Sequence, residues 1–170
     1  MAALLLSACT SFAPLPPATA DDAISGRLAI RIEPNGGDDA RAFSAAFDLR
    51  GNPGTGSLAL STPLGSTLAQ ARWGAGTVAL VTPQGRREFT GLDELTRDVL
   101  GESVPIEAWF DWLRGRPWPG APSSDPAPAG FEQLGWSVDL SRFATGSVVA
   151  SRLRPAPAVV VRIQLDSAAS

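Results

Sequence analysis

Apolar and polar residues alternate with a period of two over much of this chain. In residues 26–33, Leu28, Ile30 and Ile32 face one way and Arg27, Ala29 and Arg31 the other, which predicts a half-buried strand. Pro34-Asn35-Gly36-Gly37 predicts a turn. Residues 41–50 alternate again, with Phe43, Ala45, Phe47 and Leu49 on one face, before Gly51-Asn52-Pro53-Gly54 turns the chain. Further strands are predicted over 57–61, with Leu58 and Leu60, and over 67–73 and 77–82. Pro83-Gln84-Gly85 is a tight turn into 86–89. Strands joined by such short turns form an antiparallel meander, not a βαβ series.

The period then changes. Residues 92–100 place apolar side chains at 92, 95, 99 and 100, with Asp93 and Glu94 in the first turn and Gly101 at the end, predicting a short helix. Pro105 suits the first position of a second helix. Ile106, Trp109, Phe110 and Leu113 follow i, i+3, i+4, i+7 spacing, and Gly115 can close that helix. Arg114 and Arg116 suit its negative end. The Pro-, Ala- and Ser-rich stretch 118–130 reads as a loop. Leu134, Trp136, Val138 and Leu140 then alternate as one strand, and 146–154 and 158–165 form a final pair around Pro155-Ala156-Pro157. The expected class is α+β, mainly β.

A length of 170 residues suits one domain, placed at 26–166, and 44% hydrophobic with 18% charged residues is enough for a core. A net charge of −3 offers no footprint for nucleic acid. All fourteen basic residues are Arg, and there is no His and one Cys. Cys/His zinc sites, Ser-His-Asp and Cys-His nucleophile systems and an internal disulfide are thereby excluded. Asp93, Glu94 and Asp111 sit where helix-start or surface acids belong, so they support an envelope hydrolase only weakly. No catalytic residue, metal site or cofactor is expected.

Met1-Ala-Ala-Leu-Leu-Leu-Ser-Ala-Cys9 ends in Leu-Ser-Ala-Cys, which resembles the lipobox of bacterial lipoproteins. That resemblance implies cleavage before Cys9 and covalent lipid on its thiol, two or more chains giving a stable anchor. Residues 1–8 resemble a shortened signal peptide, since no charge precedes Cys9 and the apolar run is short. The true start is expected upstream. Thr10 rather than Asp follows Cys9, which in enteric bacteria favours the outer membrane. Residues 9–25 comprise the lipidated Cys and a Pro/Ala-rich tether. No later stretch is apolar enough to span a bilayer.

Four segments together resemble the LolB family of outer-membrane lipoprotein receptors. They are the lipobox, Gly26-Arg-Leu-Ala after the tether, Pro63-Leu64-Gly65-Ser66-Thr67 between two strands, and Val104-Pro105-Ile106 leading to Trp112-Leu113-Arg114-Gly115-Arg116-Pro117. The resemblance implies an incomplete, strongly curved antiparallel β-barrel with short helices covering its open side. It implies lipoprotein cargo whose acyl chains sit in an apolar cavity, a LolA-like periplasmic carrier as donor, and the inner leaflet of the outer membrane as acceptor. Pro63, Leu64 and Gly65 match the protruding membrane-insertion loop; read from the residues alone, Leu64 is equally open to a core position at a strand end, with Pro63 and Gly65 favouring an exposed tip. Cavity candidates are Leu28, Ile30, Phe43, Phe47, Leu58, Leu60, Trp109, Phe110, Trp136 and Val138. An ordinary packed core explains any one of them equally well. The five Trp also suit a wet mouth. A monomer is expected. The alternative class is a structural or assembly lipoprotein with a filled core that binds protein partners only.

Overall fold

The computed structural model describes residues 23–34, 39–125 and 129–166. Cys9, the tether and most of the turn after Pro34 lie outside the described residues. Strand β1 spans Ala23–Ile32, beginning three residues before Gly26, and β2 spans Arg41–Gly51. Then come β3 (Gly56–Ser61), β4 (Thr67–Gly74), β5 (Thr77–Thr82) and β6 (Gly85–Phe89). Helices α1 (Leu92–Leu100) and α2 (Ile106–Trp112) follow, and the chain returns to β7 (Ser123–Ser124), β8 (Gly130–Gln133), β9 (Trp136–Asp139), β10 (Ser147–Arg152) and β11 (Val159–Leu165).

These strands make one antiparallel sheet in the order β6-β5-β4-β3-β2-β1-β11-β10-β9-β8-β7. Every neighbour in it is also a sequence neighbour except β1 and β11, which pair from Gly26↔Leu165 to Ile32↔Val159. The sheet does not close on itself, and β6 and β7 remain as edges. Both helices lie between those edges in sequence. Their apolar residues join the inward side chains of the strands in one core, which includes Leu92, Leu95, Ile106, Ala108, Trp109 and Phe110. The mainly β, open-barrel architecture with two short helices is therefore observed.

Antiparallel order assigns every loop to one of two ends. At the end where β1 finishes, here the upper end, stand the β3–β4, β5–β6, β8–β9 and β10–β11 connections. The lower end carries the start of β1, the β2–β3 and β4–β5 turns and the start of α1. It is sealed by aromatic packing. Trp73 meets Phe110 edge-on at 6.0 Å, and its indole N–H donates to the Asn52 carbonyl at 3.1 Å. Gly56 is required beneath that ring, because a Cβ there would lie 2.6 Å from it.

The β7–β11 half is solid. Trp112 packs on Phe131 and Trp136 at 6.2 and 6.4 Å. Buried Gln133 satisfies its whole amide: Oε1 accepts from Trp112 Nε1 (2.8 Å) and Trp118 N (2.9 Å), and Nε2 donates to the carbonyls of Trp118 and Ala121 (both 2.7 Å). One side chain thus pins α2, the following loop and β8 together.

The single strand predicted through Leu134–Leu140 is a correction. The chain instead forms a hairpin, with Gln133 paired to Trp136 across a two-residue turn, Leu134-Gly135. A two-residue turn shifts the inward positions from odd to even numbers, from Phe131 and Gln133 to Trp136 and Val138, so alternation read straight through Leu134 mistakes the turn for a strand. The stretch expected to be all loop also holds the short edge strand β7. Pro105 sits one residue before α2 rather than at its first position.

Candidate functional site

The inner face of β1–β6 does not meet the helices everywhere. Between them lies a cavity of about 690 Å³, within the range of small-molecule sites. Its strand walls are the upper inward residues: Leu28, Ile30 and Ile32 of β1, Phe43 of β2, Leu58 and Leu60 of β3, Leu68, Ala69 and Ala71 of β4, and Leu80 of β5. Leu95, Leu100, Val104, Ile106 and Trp109 form its helical side. The period-two pattern of the strands supplies most of this wall, because every second residue faces inward; adjacent Leu68 and Ala69 both reach it because the β3–β4 register shifts between Leu60 and Ser61.

The polar wall residues Arg41, Thr82, Gln84, Arg87 and Asp98 gather where β2, β5, β6 and α1 reach the upper end, and with half-exposed Val99 they mark the mouth. Arg87 bridges Asp98 at 2.6 Å, tying the edge strand β6 to α1. That hydrogen bond, aided by the charge of Arg87, holds the Asp98 carboxyl below its ordinary range. The Arg41 guanidinium lies against Gly101, where a Cβ would be 2.6 Å from it, and Gly101 has a left-handed φ of 75°. On the far side Arg152 pairs with Glu102 at 2.5 Å and stacks over Trp136. The helical roof is therefore fastened at its upper end by charged contacts, while its lower end is held by apolar packing.

Of the ten cavity candidates, Leu28, Ile30, Phe43, Leu58, Leu60 and Trp109 stand on the cavity wall. Phe47, Phe110, Trp136 and Val138 do not. All four are buried in the solid core, Phe47 and Phe110 towards the lower end and the other two in the β7–β11 half. Alternation identified their inward direction but not what they face. The Trp residues do not form a wet mouth either: Trp73, Trp109, Trp112 and Trp136 are buried. Sequence reasoning missed Ile32, Leu68, Leu80, Leu95 and the charged rim. Ile32 and Leu80 carried an alternation signal. Arg41, Arg87 and Asp98 carried none, because only the docking of α1 on β6 brings them together.

Asp93, Glu94 and Asp111 each have a local partner. Asp93 pairs with Arg97 at 2.7 Å and also accepts from Ser103, Glu94 accepts from the Thr90 backbone and hydroxyl at 2.8 and 2.7 Å, and Asp111 pairs with Arg116 at 2.6 Å. They brace the helices against their own flanking residues.

Pro63-Leu64-Gly65 tops the β3–β4 hairpin beside the mouth. Gly65 N–H donates to the Thr62 carbonyl at 2.9 Å, placing Pro63 and Leu64 in the two central turn positions, and Gly65 follows with φ 86°. Ser66 N–H donates to Thr62 Oγ1 at 3.1 Å. This bonded turn leaves Leu64 95% exposed, the most exposed large apolar residue described. A core role for Leu64 is thereby ruled out.

The fold and site define an open-barrel protein that keeps a ligand-sized apolar cavity under a helical roof. The family described as Outer membrane lipoprotein LolB matches residues 22–167 of the chain. Among curated relatives, the Outer-membrane lipoprotein LolB of Bordetella petrii is 34% identical over 95% of this chain and 87% of its own length. That of Bordetella pertussis is 36% identical over 94% and 85%, and that of Chromobacterium violaceum 34% over 84% and 79%. This chain belongs to the LolB family of outer-membrane lipoproteins.

Proposed function

We infer that this chain is the outer-membrane receptor that accepts lipoproteins from a LolA-like periplasmic carrier, holds their acyl chains in the cavity and releases them into the inner leaflet. The observation that carries the reading is an apolar cavity of about 690 Å³ whose mouth stands beside a fully projecting leucine. Exposing ten methylenes to water costs about 8 kcal/mol at roughly 0.8 kcal/mol each, so cargo must pass from one covered site to another. A difference of about 1.4 kcal/mol between donor and acceptor cavities biases the handover tenfold. The bilayer is then the final sink, and no nucleotide is needed. Cys9, carrying lipid, would anchor the domain at the acceptor membrane.

Two arms test this. The full chain with Cys9→Ala, mixed with cargo-loaded carrier, should take cargo from it; no transfer refutes the receptor reading. Adding Leu64→Glu should leave acceptance intact and impair delivery to liposomes, because a carboxylate opposes entry of the loop into lipid. Normal delivery by that variant removes Leu64 from the mechanism. A structural lipoprotein that binds protein partners alone would bind no acyl chain in the first arm.

A further inference from the structure

Five large hydrophobic residues are exposed among those described: Leu64, Val81, Val99, Leu134 and Leu153. All five lie at the upper end. Leu64 tips the β3–β4 hairpin, Val81 is next to last in β5, Val99 is in the last turn of α1, Leu134 is in the β8–β9 turn and Leu153 opens the β10–β11 loop. Among the described residues the lower end carries none. Its turns are Asn52-Pro53-Gly54-Thr55, Ala75-Gly76 and Ser141-Arg142.

Leu134 is the most telling. Leu134 and Gly135 have φ of 55° and 77°, so both central positions of the turn are left-handed. That geometry favours Asn-Gly, and leucine is poorly suited to it. The side chain is 46% exposed. Residues that defy local preference without a packing gain concentrate at functional positions. Leu153 is 69% exposed and is followed by exposed Arg154, which can meet a headgroup phosphate.

We propose that the upper end is a multi-point bilayer contact in which Leu134 and Leu153 act with Leu64 to seat the cavity mouth on lipid. This deepens the receptor reading, and its test reads bilayer binding separately. The points are isolated apices spread around a rim, which suits a fluid surface that closes around each tip. A protein partner would instead need continuous complementary area. The chain before β1 permits this orientation. β1 starts at the lower end and its ten residues rise roughly 33 Å. The fourteen residue steps from Cys9 to Ala23 reach at most about 46–50 Å. A lipid on Cys9 can therefore enter the same bilayer that the upper end faces.

The test is co-sedimentation of the full chain, Cys9→Ala, with phosphatidylethanolamine–phosphatidylglycerol vesicles. Leu153→Glu and Leu134→Asn should each lower the bound fraction roughly threefold to tenfold. Leu134→Asn should also raise the melting temperature, since Asn suits a left-handed turn, so lost binding cannot be ascribed to misfolding. If both variants bind like the parent, or the parent does not bind at all, the proposal fails while cargo acceptance still stands as its own result. If vesicle binding holds but transfer from the carrier falls, the upper end is a protein-docking face and the proposal is likewise overturned. Concentration-dependent self-association lost in these variants would assign the surface to a second copy.

Discussion

Ala69 offers a direct way to ask whether the hollow is real. It lies on β4 opposite Leu60, is partly buried, and stands on the cavity wall. Ala69→Phe would project a benzyl group into vacant apolar space. Fully burying a Phe side chain contributes about 1.5–3 kcal/mol; with one side still facing the cavity, a gain of about 1 kcal/mol is expected. Phe also favours strands over Ala. For a chain of this size about 1 kcal/mol corresponds to roughly 2–4 °C in melting temperature. The same ring would take space from a guest. Displacing three methylenes at about 0.8 kcal/mol each costs about 2.4 kcal/mol, roughly fifty-fold in affinity. Calorimetry and titration with a fluorescent fatty acid read the two effects. The variant should be more stable and bind the probe more weakly. Overpacking a filled core costs about 1–3 kcal/mol instead. A melting temperature lowered by several degrees, with probe affinity unchanged, would therefore refute the cavity.

Gln133→Leu keeps the size of the side chain but leaves the Trp112 indole, the Trp118 amide and two carbonyls without their partner. Its expected cost is about 2–4 kcal/mol, read as a lower urea midpoint with an unchanged slope. The Arg87–Asp98 bridge should respond to acid. Asp98 is held below its ordinary value of 3.8, so its contribution is full above that value and is lost as pH falls through the lower, folded-state one. Uptake of an apolar dye should be flat from neutrality to pH about 5 and rise only in stronger acid. Asp98→Asn should remove that acid-dependent step, and a step near neutrality would contradict the assignment.

The strand predictions succeeded where one face is buried and one wet. In β1 and β2, Leu28, Ile30, Phe47 and Leu49 alternate with Arg27, Arg31, Asp48 and Arg50, and the observed register keeps that alternation. They failed where the first central position of a turn carried no turn-like residue, although Gly135 follows it. Leu134 stands where Asn is favoured, so the β8–β9 hairpin was invisible as a hairpin. Val99 shows a related limit. Helical spacing counts it with Leu92 and Leu95 on the apolar side, but α1 is docked along one edge only and Val99 is left half-exposed at the mouth.

The cavity divides the candidates for the same reason. Leu60 and Val138 look alike in sequence, each apolar and inward on a strand. Opposite Val138 the sheet meets the Trp112–Phe131–Trp136 cluster, whereas opposite Leu60 the roof stands off. Residue order alone determined the strand and helix periods, the paired faces and most of the short antiparallel connections, because each depends on neighbours a few positions apart. The emptiness of the hollow, the charged rim of Arg41, Arg87 and Asp98, and the gathering of exposed leucines at one end were decided only by tertiary structure. Those properties depend on how far one layer stands from another, a distance set by packing between residues remote in the chain.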